Sequence, residues 1–472
     1  MFLGTLDARL IALDAATGAP CADFGTGGAN VWSVMSADPE RDLVFLPTTS
    51  PSPDFYGGMR PGDNAFANSV VALRASTGEF VWGYQTVRHD LWDYDLAPQP
   101  LLFSHTVADG VQRPALAQAT KTGFVFVLDR ETGEPLHPVE ERAVPQSDVP
   151  GEQAARTQPF PKLRLHATDA RPLPFWYFNA EHRAACERLT AGVRYEGMFT
   201  PPSLEGTLMY PGNAGGTNWG SMAYDRASRI GYVAVSRLPT IVKLIPREQF
   251  RAAARQGTLN GARAQHTEQD GTPYGMARFE LLHNGLSCLE GPWSTLVALD
   301  LDLGEVLWER PLGTSEWGSF TSGGPMVTEG GVVFQASTSD HMLRGYSGAD
   351  GSELWARELP AGAHATPMGY RHGGMDYVVV AAGDGLAGGG GRGDHVIAFR
   401  MPAGPAAHGE PRVAPRAARL SADKARSRSR TARSLRPPCI YAVCRPVGRA
   451  PAASSYHGRC VGALPSSPTA AA

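Results

Sequence analysis

The chain has 472 residues, enough for one large β architecture or two to three ordinary domains, and its 54 Gly and 38 Pro are too many for a helical protein. Its formal net charge of −3 hides an asymmetry: residues 403–472 hold eleven Arg and Lys424 against Glu410 and Asp423, which leaves residues 1–402 strongly acidic. That acidity argues against a nucleic-acid partner for the body of the protein, and no run reaches 18 uninterrupted apolar residues, so no transmembrane helix is expected.

The first expected elements are two short strands, Met1 to Leu6 and Leu10 to Leu13, and no signal peptide is expected at this start. A self-similar unit then recurs: an apolar strand, a polar turn carrying Thr-Gly or Gly, and a strand with a Trp. It appears at Ile11–Asp14 with Thr17-Gly18, at Val71–Arg74 with Thr77-Gly78 and Trp82, and at Val127–Asp129 with Thr132-Gly133. It returns at Val297–Asp300 with Gly304 and Trp308, and at Arg344–Tyr346 with Gly351 and Trp355. Repeated strands with turn glycines and a recurring Trp mark a β-propeller, in which Trp82, Trp308 and Trp355 pack between neighbouring blades. Trp219 is expected to pack the same way. A further blade is expected from Thr207–Tyr210 and Ile230–Val235.

Two Pro- and charge-rich excursions, roughly 136–200 and 245–290, interrupt the repeats and read as functional lids or disordered segments. The few helices are expected there, near Glu181–Leu189 and Arg247–Arg255. Residues 403–472, rich in Ala, Arg, Ser and Pro, keep no apolar period and are expected to lack packed structure. Of the six Cys, Cys21, Cys186 and Cys288 lie in the body and Cys439, Cys444 and Cys460 in the tail; none forms a CxxC pair, so no zinc site is expected. Cys186 and Cys288 could pair in an oxidising compartment.

The chemistry-bearing stretches are His89-Asp-Leu-Trp-Asp-Tyr-Asp95 and Thr120-Lys-Thr-Gly123. A base, a cation and flat aromatic faces suit an anionic planar cofactor beside an alcohol. Taken alone, three Asp in seven residues also suit turn capping, and Lys121 a solvent-facing turn. These stretches come with Arg9–Ala15, Asn30–Ser33, Pro53–Gly58, Phe199–Ser203, Gly323–Pro325 and Ala365–Met368, in that order along the chain. Together they resemble the quinoprotein dehydrogenases that use pyrroloquinoline quinone (PQQ), of the glucose/quinate type, over about residues 1–402.

The resemblance implies an all-β fold, an eight-bladed β-propeller of four-stranded antiparallel blades, here incomplete at the start and around 25–30. By position it implies Asp93 as the base that takes the hydroxyl proton, with Asp90 and Asp95 second in line. It implies Lys121 as the cation on the quinone oxygens, Trp32 as the indole lying on the cofactor ring, and Asp340 as a further cofactor contact. It also implies a bivalent ion, Ca2+ or Mg2+, for which Asp93 could supply one ligand, a sugar or polyol substrate, and ubiquinone as electron acceptor. The implied location is the periplasm, with membrane association through a segment this chain lacks.

The chain departs from the family pattern at Ala234 and Ser236, where an Asn is usual, at Asp384-Gly385-Leu386 in place of Gly-His-Gly, and at Thr26–Ala29, which replaces a much longer stretch. The alternative reading is an incomplete propeller that serves as a binding scaffold without chemistry. A WD40-type module is disfavoured by the absence of Gly-His and Trp-Asp pairs at a fixed period.

Overall fold

The computed structural model describes residues 2–4, 10–12, 31–107, 110–166, 173–313, 316–318, 321–336, 338, 340–383, 393–401 and 441–444. Thr17-Gly18, the segment around 25–30 and Asp384–Leu386 lie outside these residues. Six four-stranded antiparallel sheets and two α-helices carry the described fold. No helix among the described residues is long and apolar enough to cross a membrane.

Sheet I is Ser36–Asp38, Leu43–Pro47, Ser69–Arg74 and Phe80–Gln85; sheet II is Leu101–Thr106, Gln112–Ala119, Phe124–Asp129 and Leu163–Arg164. Sheet IV is Met222–Asp225, Ile230–Ser236, Ser294–Asp300 and Glu305–Pro311. Sheet V is Met326–Val327, Val332–Gln335, Met342–Ser347 and Glu353–Glu358. Sheet VI is Met368–His372, Met375–Ala382, His395–Arg400 and Tyr441–Cys444. Separate buried cores join I to II, II to IV, IV to V and V to VI, the face-to-face succession of propeller blades. Phe124–Asp129, apolar on both faces, suits a strand covered on both sides, and its first five residues are buried.

The repeat unit has a physical basis. Asp129 ends its strand and its carboxylate accepts the amides of Glu131 and Thr132 at 2.9 and 3.2 Å, which folds the chain into a tight turn. Gly133 closes it at φ 76°, where a side chain would be strained. Asp300 repeats this chemistry on Asp302 and Leu303, with Gly304 at φ 65°. The turn then docks on the preceding blade. Trp82 donates to the Arg130 carbonyl at 3.1 Å, and a Cβ on Gly133 would come within 2.6 Å of its ring. Trp308 treats Gly348 and Gly351 likewise, while between II and IV His137 takes the place of the indole beneath Gly304. Trp355 packs between Phe334 and Phe399. The inter-blade role expected of these three Trp is what their contacts display.

The second excursion differs from its expectation. After Ser236 the chain leaves sheet IV, builds Thr240–Pro246, Gln265–Thr267 and Tyr274–Glu280 into sheet III with Thr207–Met209, and returns at Ser294. Sheet III shares the core of sheets I and II through Met209, Val242, Leu244, Tyr274 and Met276. The second excursion is thus neither a lid nor unstructured, because its strands bury apolar residues on both faces, Val242, Leu244 and Met276 on one and Ile241, Ile245, Ala277 and Phe279 on the other. The helices fall where charge-rich sequence suggested, at Ala180–Leu189, capped by the Asn179 side chain, and at Arg247–Gln256, ended by Gly257 at φ 68°.

Cys186 and Cys288 form a disulfide across a sequence separation of 102 residues, inside a core with Leu189, Leu208, Ile241, Phe279 and Leu289. A closure of that length is worth up to about 4–5 kcal/mol in chain entropy. We expect Cys288→Ala to lower the thermal midpoint, and reductant to lower that of the wild type but not of the variant. Equal midpoints for both proteins in oxidising buffer would show the tie to be redundant.

Of residues 403–472, Tyr441–Cys444 is described, and it pairs with His395–Arg400, Val396 opposite Cys444. The expectation of an unpacked tail fails for these four residues, a short β-prone run laid on an open sheet edge. The rest of the tail lies outside the described residues.

Candidate active site

Antiparallel order places alternate connections at the same end of each sheet. Trp32 precedes the first strand of sheet I, Asp54 lies between its second and third strands, and Asp93 links sheets I and II. Lys121 and Asp340 occupy the second-to-third connections of sheets II and V. All belong to the corresponding end of their sheets, where a propeller gathers residues from distant parts of the chain.

The 89–95 segment is a curled loop rather than a strand. His89 and Asp93 bend it with φ 45° and 60°. Asp90 sits at the centre of the curl, fully buried, accepting the amides of Trp92 and Tyr94 at 2.8 Å each and the Asn68 amide at 2.7 Å. Burial pushes its carboxyl up to about 7 against the pull of those donors. Its work is to hold the loop, so its second-line candidacy as a base has no geometric support. Trp92 and Tyr94 are 1% exposed and anchored to the Thr200 and Pro211 carbonyls at 2.8 and 2.6 Å. They fill the core and offer no face to a cofactor.

Asp93 and Lys121 come together. The Lys121 ammonium, deeply buried, donates to the Asp93 carbonyl at 2.8 Å and to Asp95 Oδ2 at 2.7 Å, with Asp93 Oδ1 at 3.7 Å. Two of its three hydrogens are bound, and the Asp93 carboxylate is beyond hydrogen-bond reach, so one donor remains for another group. Burial works against the charge of Lys121, but Asp93 and Asp95 outweigh it and hold the ammonium above its usual range. Burial also raises Asp93, with Lys121 and Arg278 opposing, and its carboxyl stands above the ordinary range. Burial would raise Asp95 too, but Lys121 and the Ser50 donors, its amide at 2.7 Å and hydroxyl at 2.8 Å, bring it below that range. Asp93 is therefore the more basic of two adjacent carboxylates, as a proton acceptor should be.

Three residues join the site without having been singled out. Arg278 Nη1 lies 3.3 Å and Asn213 Nδ2 3.4 Å from Asp93 Oδ2. The Asp54 carboxyl is lifted to about 6 by burial and by Asp93 and Asp95. Asp54 lay inside the motif Pro53–Gly58, and Asn213 opens the glycine-rich run Asn213–Gly216, whose Gly215 leaves no room for a Cβ over Lys121. Arg278 had a weaker signal: a charge between the apolar Ala277 and Phe279 of a mostly apolar strand, within a segment read as a lid or a disordered stretch.

The structure does not bring Trp32 or Asp340 into direct contact with Asp93 or Lys121 among the described residues. Trp32 is 43% exposed and meets Trp219 edge to face, centroids 5.1 Å apart. Trp219 is itself half exposed, not packed between blades as expected, because it sits in a loop before a first strand, whereas the inter-blade Trp sit on fourth strands. Asp340 is tied to Arg344 at 3.0 Å and to the Met342 amide at 3.2 Å within its own sheet. Ala234 and Ser236 line a narrow cleft with Gly215, Asn218 and Thr321.

The loop is fixed from outside by a buried pair. His89 Nε2 lies 2.8 Å from Glu152 Oε1 and His89 Nδ1 2.6 Å from the Gly62 carbonyl, while the other Glu152 oxygen accepts the Gly57 amide. Burial would raise Glu152, but His89 and the Gly57 amide hold it below the ordinary carboxylate range. A depressed carboxyl adds stability above the ordinary range, and that stability is lost as pH falls through it. Glu152→Gln is expected to cost about 1–3 kcal/mol at neutral pH in denaturant unfolding. The difference should shrink toward pH 3; a pH-independent cost would refute the part played by the ionised Glu152 carboxylate.

Stacked four-stranded antiparallel blades, with buried carboxylates and a buried ammonium gathered at one end, make the fold a β-propeller with a polar cluster at that end. Residues 26–378 match the family described as PQQ, glucose/ethanol/alcohol dehydrogenase, beta-propeller domain, and the chain belongs to that family. It is 38% identical over 402 residues to the quinoprotein glucose dehydrogenase of Escherichia coli (strain K12), covering 80% of this chain and 50% of that protein. It is 37% identical over 400 residues to the quinate/shikimate dehydrogenase (quinone) of Acinetobacter baylyi, covering 80% and 49%. Among solved structures it resembles the quinohemoprotein alcohol dehydrogenase from Comamonas testosteroni, with TM-score 0.51 and 26% identity over 76% of this chain and 45% of that one. The chain spans about half the length of the curated relatives it matches.

Proposed function

We propose that the chain binds PQQ and oxidises a hydroxyl of a sugar, polyol or cyclic alcohol, with Asp93 as the general base. The observation that carries this reading is the Lys121 ammonium, fixed between Asp95 and the Asp93 carbonyl with one hydrogen unspent, 3.7 Å from the Asp93 carboxylate. A buried cation with a spare donor fits the carbonyl oxygens of an anionic quinone. Trp32, with much of its indole exposed, is the candidate for stacking on the ring, and Asp340 for a contact from sheet V.

PQQ, when bound, supplies the acceptor for the hydrogen and electron pair that leave the alcohol carbon. Asp93 accepts the hydroxyl proton; its Oδ2 is turned toward Arg278 and Asn213, which leaves Oδ1 for the substrate. Lys121 stays charged through the reaction and stabilises negative charge arising beside it. For the ion, Ca2+ or Mg2+, Asp93 and Asn213 offer oxygens, far fewer than Ca2+ takes. Three ligand atoms of His, Cys or carboxylates meet among the described residues at His182, Cys186 and Cys288, where the disulfide engages both sulfurs. The described residues do not form the ion's site, and no step is assigned to it.

Electrons would pass to ubiquinone, and the setting would be the periplasmic side of a membrane; the relatives' names support a quinone acceptor. The test is direct: titrate the purified chain with PQQ and Ca2+ or Mg2+, follow tryptophan quenching, then follow dye reduction with glucose and with quinate. Quenching with turnover supports the reading. Quenching without turnover favours a propeller scaffold that keeps the cofactor cradle but lacks chemistry, and absence of both sinks the proposal.

A further inference from the structure

We propose that Arg278 selects a substrate bearing a carboxylate a few bonds from the hydroxyl to be oxidised, a hydroxy acid rather than a neutral sugar. This rests on the reading of Asp93 as the base. Beside Asp93 lies a cavity of about 550 Å3, lined among others by Asn213, Thr240, Arg263, Gln265, Arg278 and Glu280. Its size suits a small polar molecule. Arg263, Arg278 and Glu280 are the charged residues of this lining, and Arg278 is the one with a contact to Asp93.

Arg278 is built into the wall rather than draped over it. Its Nη1 lies 3.3 Å from Asp93 Oδ2, its Nε donates to Gln265 Oε1 at 3.1 Å, and its guanidinium lies over the Phe55 ring at 5.5 Å. A guanidinium carries five N–H donors in a rigid fork, and these two contacts leave three without a partner among the described residues. A carboxylate is the group that takes such donors in parallel pairs. Because the same guanidinium touches the base, a carboxylate on Arg278 and a hydroxyl on Asp93 must belong to neighbouring parts of one molecule. A cyclic hydroxy acid of the quinate type has this spacing. Glucose has no anion to offer, and would leave the fork desolvated and unpaired, the situation in which a polar site discriminates most strongly.

The test is calorimetric titration of the purified full chain, without PQQ, with quinate, with the neutral cyclitol myo-inositol and with glucose. We expect at least tenfold tighter binding of quinate than of either neutral ligand. Arg278→Gln should erase that preference, and Arg278→Lys should retain part of it, with unchanged thermal unfolding showing that both variants fold. Equal affinity of the wild type for quinate and inositol, no binding of quinate at all, or an undiminished preference in Arg278→Gln overturns the proposal. So does a loss of PQQ quenching in Arg278→Gln with quinate binding intact, which would give the guanidinium to the cofactor. Failure of PQQ-dependent turnover with the quinate preference intact would instead count against the proposed oxidation.

Discussion

Asp93→Asn is expected to lower turnover by about 10^2–10^4-fold, the usual contribution of a positioned base, while PQQ quenching stays within a few-fold of wild type. Asn keeps the size of the side chain, and Lys121 keeps its shorter bonds to Asp95 and to the Asp93 carbonyl, so the cradle should survive. Burial raises the Asp93 carboxyl, and the base form therefore gathers only as pH climbs through that elevated value. Wild-type turnover should rise with pH across the interval, and residual turnover of the variant should not. A variant with full activity, or with the wild-type pH profile, would remove Asp93 from the mechanism.

Lys121→Met should be the most damaging single change to the fold of the site. It strands Asp95, bonded to the ammonium at 2.7 Å, as a buried carboxylate without a cation, beside Asp93, which keeps Arg278. Removing one partner of such an arrangement costs about 3–5 kcal/mol. Denaturant unfolding measures the loss, and Lys121→Met with Asp95→Asn should recover part of it, since the stranded charge is then gone. PQQ quenching should fall in both proteins, because the spare donor is absent from each. A stability loss below about 1 kcal/mol, the level of an exposed ion pair, would show that the ammonium is not buried in solution.

The fold was legible because its repeat is local chemistry. An Asp or Ser ending a strand, a Gly three or four residues on and an outer-strand Trp each leave a mark in one short window, as at Asp129, Gly133 and Trp82. The helices at 180–189 and 247–256 were legible for the same reason. Sheet III was not, because it pairs strands across the chain, Thr207 with Val242 and Thr240 with Glu280, and nothing within either window names its partner. Arg278 was missed with it. Asp93 and Lys121 were singled out through motif likeness, which put Asp93 before Asp90 but carried no sign that Asp90 sits at the centre of the loop. Asp90 and Asp93 differ in sequence context by three places and in role completely: one accepts three amide donors, the other meets the cations.

The detour of the chain out of sheet IV has a consequence for how the molecule is made. Ile230–Ser236 must wait for Ser294–Asp300, its partner from Ile230↔Asp300 to Ser236↔Ser294, while the whole of the detour is synthesised. At translation rates of about 5–20 residues per second that is a delay on the order of several seconds, long beside the microseconds in which a hairpin forms. Throughout it an apolar strand stands with one edge unpaired, the form in which nascent chains associate with one another. Sheet III, whose last strand ends at Glu280, can be complete before the delay is over. The emerging protein thus passes through a stage in which a finished sheet hangs from an unfinished one.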